Sequence, residues 1–198
     1  MNERKKRLNA RDLIMLGIFN AIAIVCYAVV VALVCTTVMG LFFSTAVAFL
    51  VLGTVYMVTV AKVRKRGTYF VCGLIMSVVG LIGGRIFTTV GCIAGGVIAE
   101  LLVGDYTKVR RIILAYCSYA VAVALGIYLP AFMMGVEYIA KMGAKRGMTL
   151  ETAQSYMGLY TPTMLAIVIA ANIVGALAGA LIGRKVLKKH FIKAGLVK

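Results

Sequence analysis

The chain has 198 residues, 63% of them hydrophobic, and a mean hydropathy of +1.01, which leaves too little polar surface to cover a soluble domain and marks an integral membrane protein. A formal charge of +16 would suit a nucleic acid, but the basic residues fall between apolar runs rather than on a soluble face, which argues against that partner. The runs last about 20 residues, enough for helices across a hydrocarbon layer of ~30 Å, and lack the alternation of β-barrel strands.

An all-α bundle of six transmembrane helices is therefore expected, over residues 12–34, 38–61, 68–86, 88–104, 112–134 and 162–184, in one membrane domain covering 1–198. Basic clusters occupy alternate connections. Arg4, Lys5, Lys6 and Arg7 precede the first run; Lys62, Arg64, Lys65 and Arg66 follow the second; Lys108, Arg110 and Arg111 follow the fourth; Arg184, Lys185, Lys188 and Lys189 follow the last. Only Arg85, Lys141, Lys145 and Arg146 remain for the other side, so the positive-inside rule predicts both termini in the cytoplasm. The basic start leads into a full spanning run rather than a short apolar region with a cleavage site, and a secretory signal is not expected.

In the first run, Asp12 suits the exposed amides of a helix start. Gly17 and Ala21, then Ala28 and Ala32, are spaced four apart and allow a second backbone to approach closely. Asn20 reads as an interhelical hydrogen-bonding group. The third and fourth runs are dense in glycine, from Gly73 to Gly104. The GLIGG of residues 80–84 lacks the GK[ST] ending of a phosphate loop, so nucleotide binding is not expected.

Arg85 falls at the turn between these two runs, where it reads either as an interfacial arginine or as a charge facing a substrate. Glu100 stands in GCIAGGVIAELL, residues 91–102, about 22 Å of helical rise from Arg85 and so out of its reach. It is expected near the basic end as an electrostatic clamp or docking contact, with direct ligand coordination as the alternative.

The fifth run carries Tyr116, Tyr119 and Tyr128 and ends near Pro130. An outer loop over 135–161 follows, within which Thr149 can cap a short helix whose first turn holds Glu151 and Thr152. This loop reads as a lid or as a plain linker. Thr161 and Pro162 mark the start of the last helix, which carries Asn172 near mid-membrane and a ladder of Gly175, Gly179 and Gly183 suited to packing. Tyr128, Tyr138, Tyr156 and Tyr160 gather at the outer side, as an interface belt or as stacking partners for a planar ligand.

The five cysteines are scattered without a CxxC pair, and the single histidine, His190, lies in the basic tail; they read as packers and a surface residue rather than as a metal or disulfide site. No Ser-His-Asp, Cys-His or paired-carboxylate arrangement is evident, so the chain is not expected to be an enzyme or to carry a cofactor. Substrate recognition is expected from Arg85 and Glu137 by charge, from Tyr128, Tyr156 and Tyr160 by stacking or hydroxyl bonding, and from Asn172 by orientation.

The basic start before LNARDLIMLGIFNAI, the ending LVLGTVYMVTVAKVRKRG of the second run, and GCIAGGVIAELL before a basic turn together resemble the substrate-binding S components of energy-coupling factor (ECF) transporters, specifically the Trep_Strep or MptD-like integral membrane family. The resemblance covers nearly the whole chain. It implies a six-helix receptor of the bacterial cytoplasmic membrane that captures a vitamin-like or other small micronutrient and works with a transmembrane coupling protein and two cytoplasmic ATPases. It also implies that Gly17 and Ala21 face the coupling protein, in a GxxxA pattern where AxxxA is familiar, with Glu100 near that docking region. The segments 35–40 and 135–160 would cover the substrate. A self-contained secondary transporter or channel, or a membrane scaffold, are the alternatives; the two halves carry no evident inverted repeat of the kind a secondary transporter uses.

Overall fold

The computed structural model describes residues 8–104, 106–144 and 147–188. The basic residues before Leu8 and after Lys188, together with His190, Asp105, Lys145 and Arg146, lie outside them. The elements are helical: α1 (Ala10–Val34), α2 (Val38–Val63), α3 (Thr68–Ile82), α4 (Ile86–Val103), α5 (Val109–Gly143), α6 (Leu150–Tyr156) and α7 (Pro162–Val186), with a 3-10 turn at Met157–Leu159.

Five of them, α1, α2, α4, α5 and α7, are long and apolar enough to cross a membrane. The expected third span over 68–86 is shorter: α3 has 15 residues, a rise of about 22 Å against ~30 Å of hydrocarbon. Gly83 and Gly84 stop it, because Gly84 adopts a φ of 69° that turns the chain and is strained for any side chain.

The helix starts have local causes. Asn9 and Asp12 form a reciprocal capping box, each side chain accepting the other's backbone N–H at 2.9 Å. Thr37 and Thr161 accept from the amides of Gly40 and Met164, and Thr149 from that of Thr152 at 3.2 Å. Each cap satisfies an amide that the helix itself leaves without a partner.

The six longer helices close a ring in the order α1, α2, α7, α5, α4, α3 and back to α1. Lipid offers no hydrophobic drive for helices to associate, so the ring depends on close backbone approach. A Cβ placed on Gly183 would lie 2.7 Å from the Gly53 carbonyl oxygen, one on Gly73 2.6 Å from that of Cys92, and one on Gly126 2.6 Å from that of Phe87. The seams of α2 with α7, α3 with α4 and α4 with α5 are thus sealed by missing side chains. Inside the ring, Phe49, Tyr56, Tyr116 and Tyr119 pack together, and the Tyr116 hydroxyl donates to the Phe49 carbonyl at 2.6 Å.

Helix α1 is the least enclosed. It buries Asp12, Leu16, Asn20 and Ala23, a single stripe of helical spacing, and Asn20 ties it to α3 by donating to Cys72 Sγ at 3.2 Å. Its small residues face the other way: a Cβ on Gly17 meets nothing within 4 Å, and Ala21, Ala28 and Ala32 are exposed.

The expected outer loop over 135–161 is mostly helical. Helix α5 runs on to Gly143 but breaks at Gly135, where φ is 73° and ψ is −159°, a combination that belongs to glycine. Residues 136–143 form an arm beyond the break, and α6 follows.

Candidate functional site

The two ends of the bundle differ in kind. At the end where α1 begins and α7 finishes, the polar groups engage one another. The Lys65 ammonium pairs with the Asp12 carboxylate at 2.5 Å, fastening the start of α1 to the turn after α2. Helix α3 starts at Gly67, which has no side chain with which to cap it. Glu100, from the last turn of α4, supplies the cap instead: its carboxylate accepts from the Gly67 amide at 2.7 Å and the Tyr69 amide at 3.1 Å. It also accepts from the Tyr106 hydroxyl at 2.6 Å. A carboxylate at a helix N-terminus meets both the unpaired amides and the positive end of the helix dipole. Burial first, then the neighbouring carboxylate, push the Tyr106 phenol above its ordinary range, so it stays a donor. Among the described residues, the partners of Glu100 are therefore amides and a phenol, not cations of the basic clusters.

At the opposite end the bundle encloses a cavity of about 120 Å³. Helix α1 contributes Tyr27 and Val31, α2 contributes Leu41, Ser44 and Thr45, and the α3–α4 turn contributes Arg85 and Thr88. Helix α5 supplies Ile127 and Tyr128 before the Gly135 break and Tyr138, Ile139 and Met142 beyond it, with Met148 and Tyr160 completing the wall. The arm reaches over the cavity because the backbone turns at Gly135, and Tyr138 holds it against the start of α4 by an edge contact with Phe87 at 6.0 Å.

Two classes of polar group line this space. The Tyr128 hydroxyl donates to the Leu41 carbonyl at 3.1 Å and meets Thr45 Oγ1 at 3.0 Å. With its one proton on Leu41, Tyr128 accepts from Thr45, and both are fixed in place. By contrast, the Arg85 guanidinium and the hydroxyls of Tyr27, Tyr138 and Tyr160 make no hydrogen bond or ion pair with any described residue. The Tyr160 ring stands between Phe42 at 5.0 Å and Phe132 at 5.1 Å, and burial pushes its phenol up to about 12, so it remains a neutral hydroxyl.

Of the residues the sequence nominates for recognition, Arg85, Tyr128 and Tyr160 share this lining. Glu137 is exposed on the arm and Tyr156 is half-buried in α6, both apart from the lining. Asn172 is fully buried in α7, its Nδ2 donating to the Val168 carbonyl at 2.8 Å, and it too lies apart from the lining. Gly17 and Ala21 lie on the outward face of α1. Sequence reading missed Tyr27 and Thr45 as cavity-lining residues, and it placed Tyr138 in the outer aromatic group, as belt or ligand-stacking partner, without naming it among the recognition residues. Tyr27 had a signal: Asp12, Asn20 and Tyr27 follow one another at two-turn spacing and mark the inward stripe of α1. Among the described residues no three of His, Cys, Asp and Glu converge on a common point, and the arrangement suits reversible recognition by an unpaired cation, hydroxyls and apolar walls.

Residues 10–193 match the profile of Trep_Strep, described as a hypothetical bacterial integral membrane protein. The chain belongs to the Trep_Strep family. A bacterial integral membrane protein accords with the five spanning helices of this Trep_Strep chain, and its polar cavity accords with a transporter-type role. No curated protein and no solved structure matches it.

Proposed function

We propose that this Trep_Strep protein is the S component of an ECF-type importer, a receptor that captures a small micronutrient and hands it to partner proteins that hydrolyse ATP. The observation that carries the reading is the cavity at the end remote from the basic clusters, with Arg85 and three tyrosine hydroxyls unengaged by the protein. In this reading both termini and Lys62, Arg64, Lys65 and Arg66 face the cytoplasm, so the cavity faces outward, where a scavenged nutrient arrives. The short α3 counts as the sixth membrane helix, its ends reached by thinning of the bilayer.

Two further features support a receptor over a pump that works alone. The chain has no nucleotide-binding motif, and its one carboxylate toward the end of α4, Glu100, is occupied with capping α3 rather than placed for a proton relay. The outward face of α1, with Gly17 and Ala21 open to close approach, fits a helix of the coupling protein. Nothing in this scheme requires the chain to be an enzyme.

The test is affinity purification from native membranes in mild detergent, with mass spectrometry of retained proteins and small molecules. A membrane coupling protein recovered together with ATPases is the expected result. A stable chain that retains neither across several detergents and nanodiscs, yet moves substrate in liposomes by itself, overturns the reading in favour of a self-contained transporter.

A further inference from the structure

Resting on the receptor reading, we infer that the ligand is a small organic anion whose carboxylate pairs with Arg85 and whose apolar body, about one ring in size where the walls hold it, sits in the cavity. Size sets the first limit. The half-open cavity measures about 120 Å³, and an apolar cavity of about 150 Å³ is known to hold benzene, so its walls take up a body of about one ring.

Charge sets the second limit. Among the described residues Arg85 is the one charged side chain in the lining, and it is half-buried without a carboxylate partner. A cation held partly away from water is costly until an anion joins it. A cationic ligand meets repulsion here and finds no acidic group in the lining, while a neutral one leaves the guanidinium unpaired. Among the described residues, Lys141 is exposed on the arm and outside the lining, so Arg85 is the cation an incoming carboxylate meets there.

Geometry names the anion. The guanidinium presents a planar fork of donors that matches a carboxylate in two parallel hydrogen bonds. Tyr27 and Tyr138 line the same cavity and bring hydroxyl donors to it. Ile139, Met142 and Met148 offer apolar wall to the rest of the ligand, and methionine adapts to an irregular or aromatic outline.

The experiment uses the purified full chain in mild detergent and follows thermal unfolding with benzoate, benzamide or benzylammonium at equal concentration and ionic strength. Benzoate is expected to raise the unfolding temperature and the other two are not, since only a ligand that binds the folded state stabilises it. Arg85→Gln is expected to weaken the benzoate response about tenfold to a hundredfold, the usual consequence of losing charged hydrogen bonds, with the ligand-free unfolding temperature unchanged; Arg85→Lys keeps part of it. Equal shifts from all three probes, no shift from any, or a benzoate shift that survives Arg85→Gln overturns the inference. Recovery of the ATPases is scored on the same membranes for wild type and Arg85→Gln. ATPases without a benzoate response sink the anion and leave the receptor, and an Arg85-dependent benzoate response without ATPases does the reverse.

Discussion

The end of the bundle at Glu100 and the end at Arg85 each place a charge where lipid and protein crowd out water, yet they treat it oppositely. Glu100 has three donors from its own chain within 3.1 Å, and Asp12 has Lys65 and the Asn9 amide. Arg85 has none among the described residues. A buried charge with all its hydrogen bonds satisfied holds structure together, whereas one left unpaired beside a cavity is available to something that arrives later. Charged residues near a membrane thus divide by the company they keep, not by their depth in the sequence pattern.

Substitutions that remove the charge at each end break or sharpen that contrast. Glu100→Ala has the largest expected effect on stability, a loss of about 3 kcal/mol, because it strands the Gly67 amide and the Tyr106 phenol and leaves the Tyr69 amide with the Tyr106 hydroxyl alone; unfolding in mild detergent with increasing SDS would measure it, and a loss under 1 kcal/mol would contradict the cap. Asp12→Ala removes the ion pair and half of the capping box, for about 1–2 kcal/mol, by the same assay. Tyr128→Phe loses the bonds to Leu41 and Thr45 at the cavity floor, for about 1 kcal/mol, and is read both in stability and in weakened retention of whatever small molecule co-purifies. Arg85→Gln closes the series, with stability within about 0.5 kcal/mol of wild type. A large destabilisation there would show that Arg85 is a structural group after all.

Much of the helical frame was legible because its causes are local. Thr149, Thr161 and Pro162 announce their helix starts through side chain and spacing, and the Gly175, Gly179 and Gly183 ladder announces a close seam without revealing that α2 is its partner. The fate of Glu100 was not legible, since its partners are backbone amides that every residue possesses, delivered by a chain segment more than thirty positions away. The length of α3 was misjudged because glycines are common inside membrane helices, so Gly83 and Gly84 after Ile82 gave no clear stop, whereas the backbone turn there ends the helix. The recognition group was half visible: Arg85, Tyr128 and Tyr160 stand out as polar or aromatic residues near one side, but Tyr138 joins them only because Gly135 folds the arm back, a conformational event with no periodic signature.

The shortness of α3 also shapes the surrounding lipid. Its rise of about 22 Å leaves a deficit near 8 Å against the hydrocarbon thickness, and its start is tied down by Glu100. In the proposed six-helix reading the deficit falls at the Gly83–Arg85 side, where the bilayer thins to meet the chain. A thinner bilayer on that side would shorten the path by which a water-soluble solute reaches the mouth of the cavity.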